Sequence, residues 1–260
     1  MTGVRQLFDL GGRVAFVTGG SRGIGLQMAE ALGEMGASVA LAARKQDELD
    51  AASAQLARQS IDCLTVVADL ANPAAIPAAV DAVLARFGQI DVLVNNAGCN
   101  WAAAAEAYPD AGWRKVMDLN IDAPFFLMRE VGARAMIPRR YGKIINIASI
   151  AGLYGNPPSW GMQTAAYNAS KGALVNLTRA LAAEWGRHNI NVNAICPGFF
   201  PSKMTKATLE RIDEQVLDLT PLGRLGGDED LKGAVAYFAS DASRHVTGQV
   251  LAVDGGCTAV

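Results

Sequence analysis

Tyr167 and Lys171 stand four residues apart in the stretch YNASK. On a helix, residues at that spacing share a face. A free phenol titrates near pH 10, too high to release its proton readily at neutral pH. An adjacent ammonium favours the phenolate and lowers that value. Such a phenol could give a proton to a carbonyl oxygen or take one from an alcohol. Taken alone the pair is a weak signal, because a short motif acquires meaning only from its structural context.

A carbonyl also needs a hydride to become an alcohol, and a cofactor has to supply it. The chain offers a place for one near its start. An apolar run, residues 13–19, leads directly into TGGSRGIG, residues 18–25, and a helical pattern follows. Strand, glycine turn and helix in that order are what a dinucleotide pyrophosphate requires. Glycine lets the backbone approach the phosphates, and the helix start offers free N–H groups to their charge. Gly19, Ser21, Gly23, Ile24 and Gly25 are the candidates here. NAD is usually held by a carboxylate at the end of the second strand. That strand ends Ala42-Ala43-Arg44-Lys45, and the first acid beyond it is Asp47. Arg44 and Arg22 could instead fork onto a 2′-phosphate, so the expected cofactor is NADP(H).

These residues need a frame. Besides 13–19, apolar runs at 38–43, 62–69, 90–96, 143–149, 190–197 and 249–253 read as strands, with helical patterns between them. Most are continuously apolar, which suits a parallel sheet covered on both faces. The expected fold is α/β: a Rossmann-type doubly wound sheet of about seven parallel strands. No internal repeat or linker is visible, so residues 1–260 read as one domain, with 1–10 as an N-terminal extension.

Composition narrows the function classes. Hydrophobic residues make up 51% of the chain and the net charge is -2, which argues against a nucleic-acid binder. No apolar stretch approaches the ~18 residues of a membrane span, and the N-terminus lacks a secretory pattern. The four cysteines are scattered and the two histidines lie far apart, so neither disulfides nor a metal centre is expected. A cytoplasmic protein is the expectation.

The motifs together, TGGSRGIG, then NNAG at 95–98, Asn120, Ser149, YNASK and Pro197-Gly198, resemble the short-chain dehydrogenase/reductase family, over nearly the whole chain. The resemblance implies a catalytic tetrad of Asn120, Ser149, Tyr167 and Lys171, with Asn120 relaying protons through water to Lys171. It implies that Asp69 holds the adenine amine, with Leu70 beside it. Asn95, Ala97 and Gly98 would pass the adenosine ribose, and Tyr167 and Lys171 would bond the nicotinamide ribose. Pro197, Gly198 and Ser202 would border the carboxamide or phosphates. Ser149 could also donate to a carbonyl oxygen as negative charge develops there. A homotetramer is the family expectation. The stripe Leu174, Leu177, Leu181, Trp185 fits either core or subunit contact.

Substrate is less legible. Trp101, Leu153, Tyr154, Trp160, Phe199, Phe200 and Met204 are expected around the nicotinamide end, with only Lys203 as a nearby cation. This wall favours a neutral, partly apolar carbonyl, with a 3-oxoacyl thioester as the leading substrate. Arg139, Arg140 and Arg187 could face an acidic acyl carrier. A polyol, sugar acid or other secondary alcohol is the alternative, and a non-catalytic dinucleotide sensor is a more distant one. Ser149 lies 167 − 149 = 18 residues before Tyr167, a longer interval than most of that family keep. The extra residues fall within 152–164, expected as an ordered loop over the site mouth that leaves Ser149 in reach of Tyr167.

Overall fold

The computed structural model describes residues 2–203 and 205–260. Seven parallel strands form one sheet: β1 Val14–Thr18, β2 Ser38–Ala43, β3 Cys63–Val67, β4 Val92–Asn95, β5 Gly142–Ile147, β6 Ile190–Pro197 and β7 Val250–Val253, in the order β3-β2-β1-β4-β5-β6-β7. Each predicted strand forms. The continuous apolar runs have a direct cause: β1 is buried along its whole length. Val14 and Phe16 enter the core on one face, and Ala15 and Val17 enter the other.

Helices cover both faces. Ile76–Phe87, Ala123–Val131 and the C-terminal half of Ala165–Trp185 pack on the first, and Gly23–Glu34, Gln46–Arg58 and Lys232–Ala239 on the second. The stripe Leu174, Leu181 and Trp185 is buried within the chain and belongs to its core. Leu10, at the end of the expected extension, is buried too, and its N–H bonds the Met35 carbonyl. Among the described residues, no helix is long and apolar enough to cross a membrane.

Strand order reverses direction between β1 and β4, which opens a crevice at their C-terminal ends. The loops after β1, β4, β5 and β6 all emerge on that side, and they carry the glycine turn, the NNAG segment, Ser149 and Pro197-Gly198. A smaller core lies beside this crevice. There Trp160 packs with Ile212 and Val216 of the helix Lys206–Asp218, and edge-on to Phe199 at 5.2 Å between ring centres. Trp160 is only 2% exposed, so it locks the loop 152–164 to that helix. Trp160→Ala should cost about 3–5 kcal/mol of stability, measured by urea unfolding. A loss under about 1 kcal/mol would mean that the loop docks without it.

Candidate active site

The glycine turn leaves a bare cradle. Gly19 has φ +62°, and a Cβ there would lie 2.9 Å from Asn96 Nδ2 and 3.0 Å from Ala97 Cα. A Cβ on Gly25 would fall 2.3 Å from the Gly19 carbonyl oxygen. Gly23 opens the helix Gly23–Glu34 at φ +55°, with nothing near its missing Cβ. Exposed backbone at the start of a long helix fits a pyrophosphate. The turn is held from behind by Thr18 and Asn96. Thr18 Oγ1 accepts from the N–H groups of Asn96 and Ala97, and Asn96 Nδ2 donates to the Thr18 and Gly19 carbonyls.

A cleft of about 300 Å³ runs from this turn to Tyr167. Gly19, Ser21, Arg22, Gly23, Ile24, Gly25, Arg44, Asp69, Leu70, Ala97, Gly98, Ser149, Tyr167, Lys171, Pro197, Gly198 and Ser202 all line it. Asn95 does not. It ends β4 with its side chain turned into the protein, where Nδ2 donates to Asn146 Oδ1 at 2.8 Å. Asn146 donates in turn to Thr178 on the helix Ala165–Trp185. Asn95 therefore anchors the Tyr167 helix to the sheet, and its neighbour Asn96 lines the cleft. Ser202 lines the cleft with its hydroxyl already paired to Thr205.

At the inner end, the loop after β5 and the helix Ala165–Trp185 meet. A Cβ on Gly152 would lie 2.6 Å from the Lys171 carbonyl carbon, so only glycine permits this approach. Asn156 Nδ2 donates to Thr164 Oγ1 at 2.9 Å, and Thr164 donates to Asn168 at 2.8 Å, which ties the loop to the first turn of the helix. Ser149 and Tyr167 line the same cleft, with the Ser149 hydroxyl close enough to act on the Tyr167 phenol. Lys171 Nζ sits 5.6 Å from the Tyr167 ring centre and donates to the Ile147 carbonyl at 2.7 Å.

The electrostatics differ from the expectation in one respect. Burial pushes the Tyr167 phenol above its ordinary value, and the Ser149 hydrogen bond offsets this only in part. The lowering anticipated from Lys171 does not emerge, because desolvation of the phenol itself is the largest influence on it. Burial brings the Lys171 pKa down to about 8, with the Cys196 and Cys99 thiols opposing that shift. Tyr167 is thus set as a proton-carrying phenol at neutral pH.

Asn120 lies in a π-helical turn, Asp118–Asp122. Such turns recur at functional sites. Its Oδ1 accepts from the Cys99 N–H, and its Nδ2 donates to the Cys99 carbonyl and to Ser170 Oγ. A Cβ on Gly98 would stand 3.3 Å from Asn120 Oδ1 and 3.6 Å from Lys171 Nζ, so glycine keeps the space between them open. Asn96, Thr18 and Ser170 were missed as supporting residues. The i+3 spacing of Ser170 from Tyr167 was the available sign for one of them.

The expected aromatic wall forms only in part. Trp160 is in the core, whereas Phe200, packed so tightly that a Cβ on Gly226 would lie 2.4 Å from its ring, still lines the cleft. Trp101 packs on the helix Asp110–Met117, where a Cβ on Gly112 would lie 2.9 Å from its indole. Leu153 remains exposed, Lys203 lines the cleft, and Met204 lies outside the described residues. Arg139 is not free for a carrier either, because it pairs with the buried Asp91 at 3.0 Å. Asp91 immediately precedes the central strand β4, so it lies at the N-terminal end of the strands, opposite the cleft. Among the described residues no cluster could hold a metal ion.

Sheet order, glycine cradle and cleft define a dinucleotide-binding α/β protein. A family model described as enoyl-(acyl carrier protein) reductase matches residues 19–258. Gluconate 5-dehydrogenase of Gluconobacter oxydans (strain 621H) is 41% identical over 255 residues, covering 97% of each chain. The rhamnolipids biosynthesis 3-oxoacyl-[acyl-carrier-protein] reductase of Pseudomonas aeruginosa is 39% identical over 259 residues, covering 96% of this chain and 97% of that one. The crystal structure of a gluconate 5-dehydrogenase from Burkholderia cenocepacia J2315, in complex with NADP and tartrate, superposes with a TM-score of 0.93 at 36% identity over 99% of this chain and 100% of that one. The chain belongs to the short-chain dehydrogenase/reductase family and is an oxidoreductase acting between secondary alcohols and ketones.

Proposed function

We propose that this chain is an NADP(H)-linked dehydrogenase of a polyhydroxylated substrate, a polyol or a sugar acid of the gluconate type. The observation that carries the catalytic part is the Ser149–Tyr167 pair at the inner end of a glycine-lined cleft. When bound, the nicotinamide supplies or accepts the hydride. In the ketone-reducing direction the Tyr167 hydroxyl gives its proton to the carbonyl oxygen. Ser149 Oγ donates a hydrogen bond to that same oxygen as its charge grows. Lys171 bonds the nicotinamide ribose and holds charge beside Tyr167. The opening at Gly98 gives room for a water between Asn120 and Lys171, through which Tyr167 is reprotonated.

Two observations favour a polar substrate over an acyl chain. Trp160 is taken into the core, which removes one aromatic partner from a long apolar chain. Lys203 stands at the cleft and suits a carboxylate. The gluconate dehydrogenases among the relatives point the same way. The 3-oxoacyl thioester, first choice on sequence, becomes the second reading, supported by exposed Leu153 and by the 3-oxoacyl reductase relative. A panel of sugar acids, polyols and 3-oxoacyl thioesters with NADP(H) separates them. The polyhydroxylated substrates should lead by at least about tenfold in kcat/KM. A lead for the thioesters would reverse the order. The family likeness extends the proposal to a cytoplasmic homotetramer, which sedimentation equilibrium checks by mass.

A further inference from the structure

The adenosine end of the cleft holds a carboxylate that sequence reading passed over. Glu48 is the third residue of the helix Gln46–Arg58 and lines the cleft together with Ser21, Arg22, Arg44 and Lys45. Its Oε1 takes Arg22 Nη1 at 2.7 Å and Lys45 Nζ at 3.4 Å, and its Oε2 accepts from Ser21 Oγ at 3.4 Å. The side chain of Glu48 is 22% exposed, against 51% for Arg22 and 58% for Lys45. The acid is therefore the inner partner and the cations close over it. Two cations and a hydroxyl around paired oxygens is also the donor set that recognises a phosphate monoester. The first turn of a helix favours negative charge of either kind.

We propose that Glu48 is a built-in competitor for the ribose 2′-phosphate. Resting on the dinucleotide reading above, this goes further by naming what sets the choice between cofactors. A 2′-phosphate must take Arg22 and Lys45 away from Glu48, and it then lies beside a like charge. A ribose 2′-hydroxyl asks for no such exchange. It can donate to the Glu48 carboxylate while the Arg22 pair stays closed. Glu48 thereby narrows the advantage of NADP(H) over NAD(H) that Arg22 and Arg44 create.

The competitor role and a mere orienting role predict opposite signs. If Glu48 only aims Arg22, its neutralisation weakens phosphate binding; if it competes, neutralisation strengthens it. The test is the Kd of 2′,5′-ADP and of 5′-AMP, by isothermal titration calorimetry, for wild type, Glu48→Gln, Glu48→Ala and Arg22→Ala, with thermal melts to establish folding. Both Glu48 variants should bind 2′,5′-ADP about tenfold tighter, with 5′-AMP changed by no more than about twofold. Added salt should shrink the gain. The kcat/KM ratio for NADPH over NADH should rise in parallel. Unchanged or weaker 2′,5′-ADP binding in both Glu48 variants overturns the proposal. If wild type also prefers 2′,5′-ADP to 5′-AMP and Arg22→Ala loses that preference, the NADP(H) reading stands and only the competitor falls. If no variant prefers 2′,5′-ADP, both fall.

Discussion

Lys171→Met should give a folded, inactive protein whose stability no longer climbs as wild type's does in alkaline solution. The wild-type lysine is held at about 8 in the folded chain, against 10.5 when free, because it is buried. Below pH 8 it is charged in both states, and the folded state bears the full desolvation cost. Between about 8 and 10.5 the unfolded chain binds the extra proton, so raising the pH favours folding. That contribution amounts to roughly 3 kcal/mol once both values are passed. Lys143 behaves alike, since burial also lowers it to about 8, and it stays in the variant. The gain in unfolding free energy from pH 7 to 10 should therefore be roughly 2–3 kcal/mol smaller in Lys171→Met than in wild type, read by urea unfolding at each pH. Equal pH slopes would mean that Lys171 is not desolvated as described. Activity should fall by about 10²-fold or more, because the ammonium beside Tyr167 and the ribose is gone.

Much of this site could be read before any coordinates. The strand pattern was legible because a parallel sheet covered on both faces needs continuous apolar runs, and β1 and β6 are buried at every position. The glycine turn was legible because Gly19 and Gly25 leave no room for a side chain. The place of Ser149 at the cleft was legible despite the longer loop, because the end of β5 sets its position and the loop only has to return. What failed depends on side-chain direction and on contacts across the fold. Asn95 and Asn96 differ by one residue, and strand alternation turns one into the sheet and the other to the turn. Glu48 carries no motif of its own, and only the fold brings Arg22, 26 positions away in the chain, against it. The Tyr167 shift went the other way because sequence spacing reports an adjacent charge and carries no record of burial. The aromatic wall thinned for a similar reason: proximity in sequence placed Trp160 near the mouth, while packing against Phe199 and the helix Lys206–Asp218 drew it into a core.

The central claim is that Tyr167 moves the proton. Its neighbour Ser149 can polarise a carbonyl but has no acidic proton to give at neutral pH, and Lys171 is enclosed with its own bond to Ile147. Removing one oxygen atom, as Tyr167→Phe does, keeps the ring, the helix and the packing. The fold and the affinity for NADP(H) should consequently survive, within about twofold in Kd, whereas a lost general acid costs on the order of 10²–10⁴ in rate. The direct measurement is single-turnover reduction of a ketone substrate by enzyme saturated with NADPH, wild type against Tyr167→Phe, with cofactor binding titrated on the same samples. A rate about 10³-fold lower with unchanged cofactor affinity is the predicted result. Equal single-turnover rates in the two proteins would contradict the account.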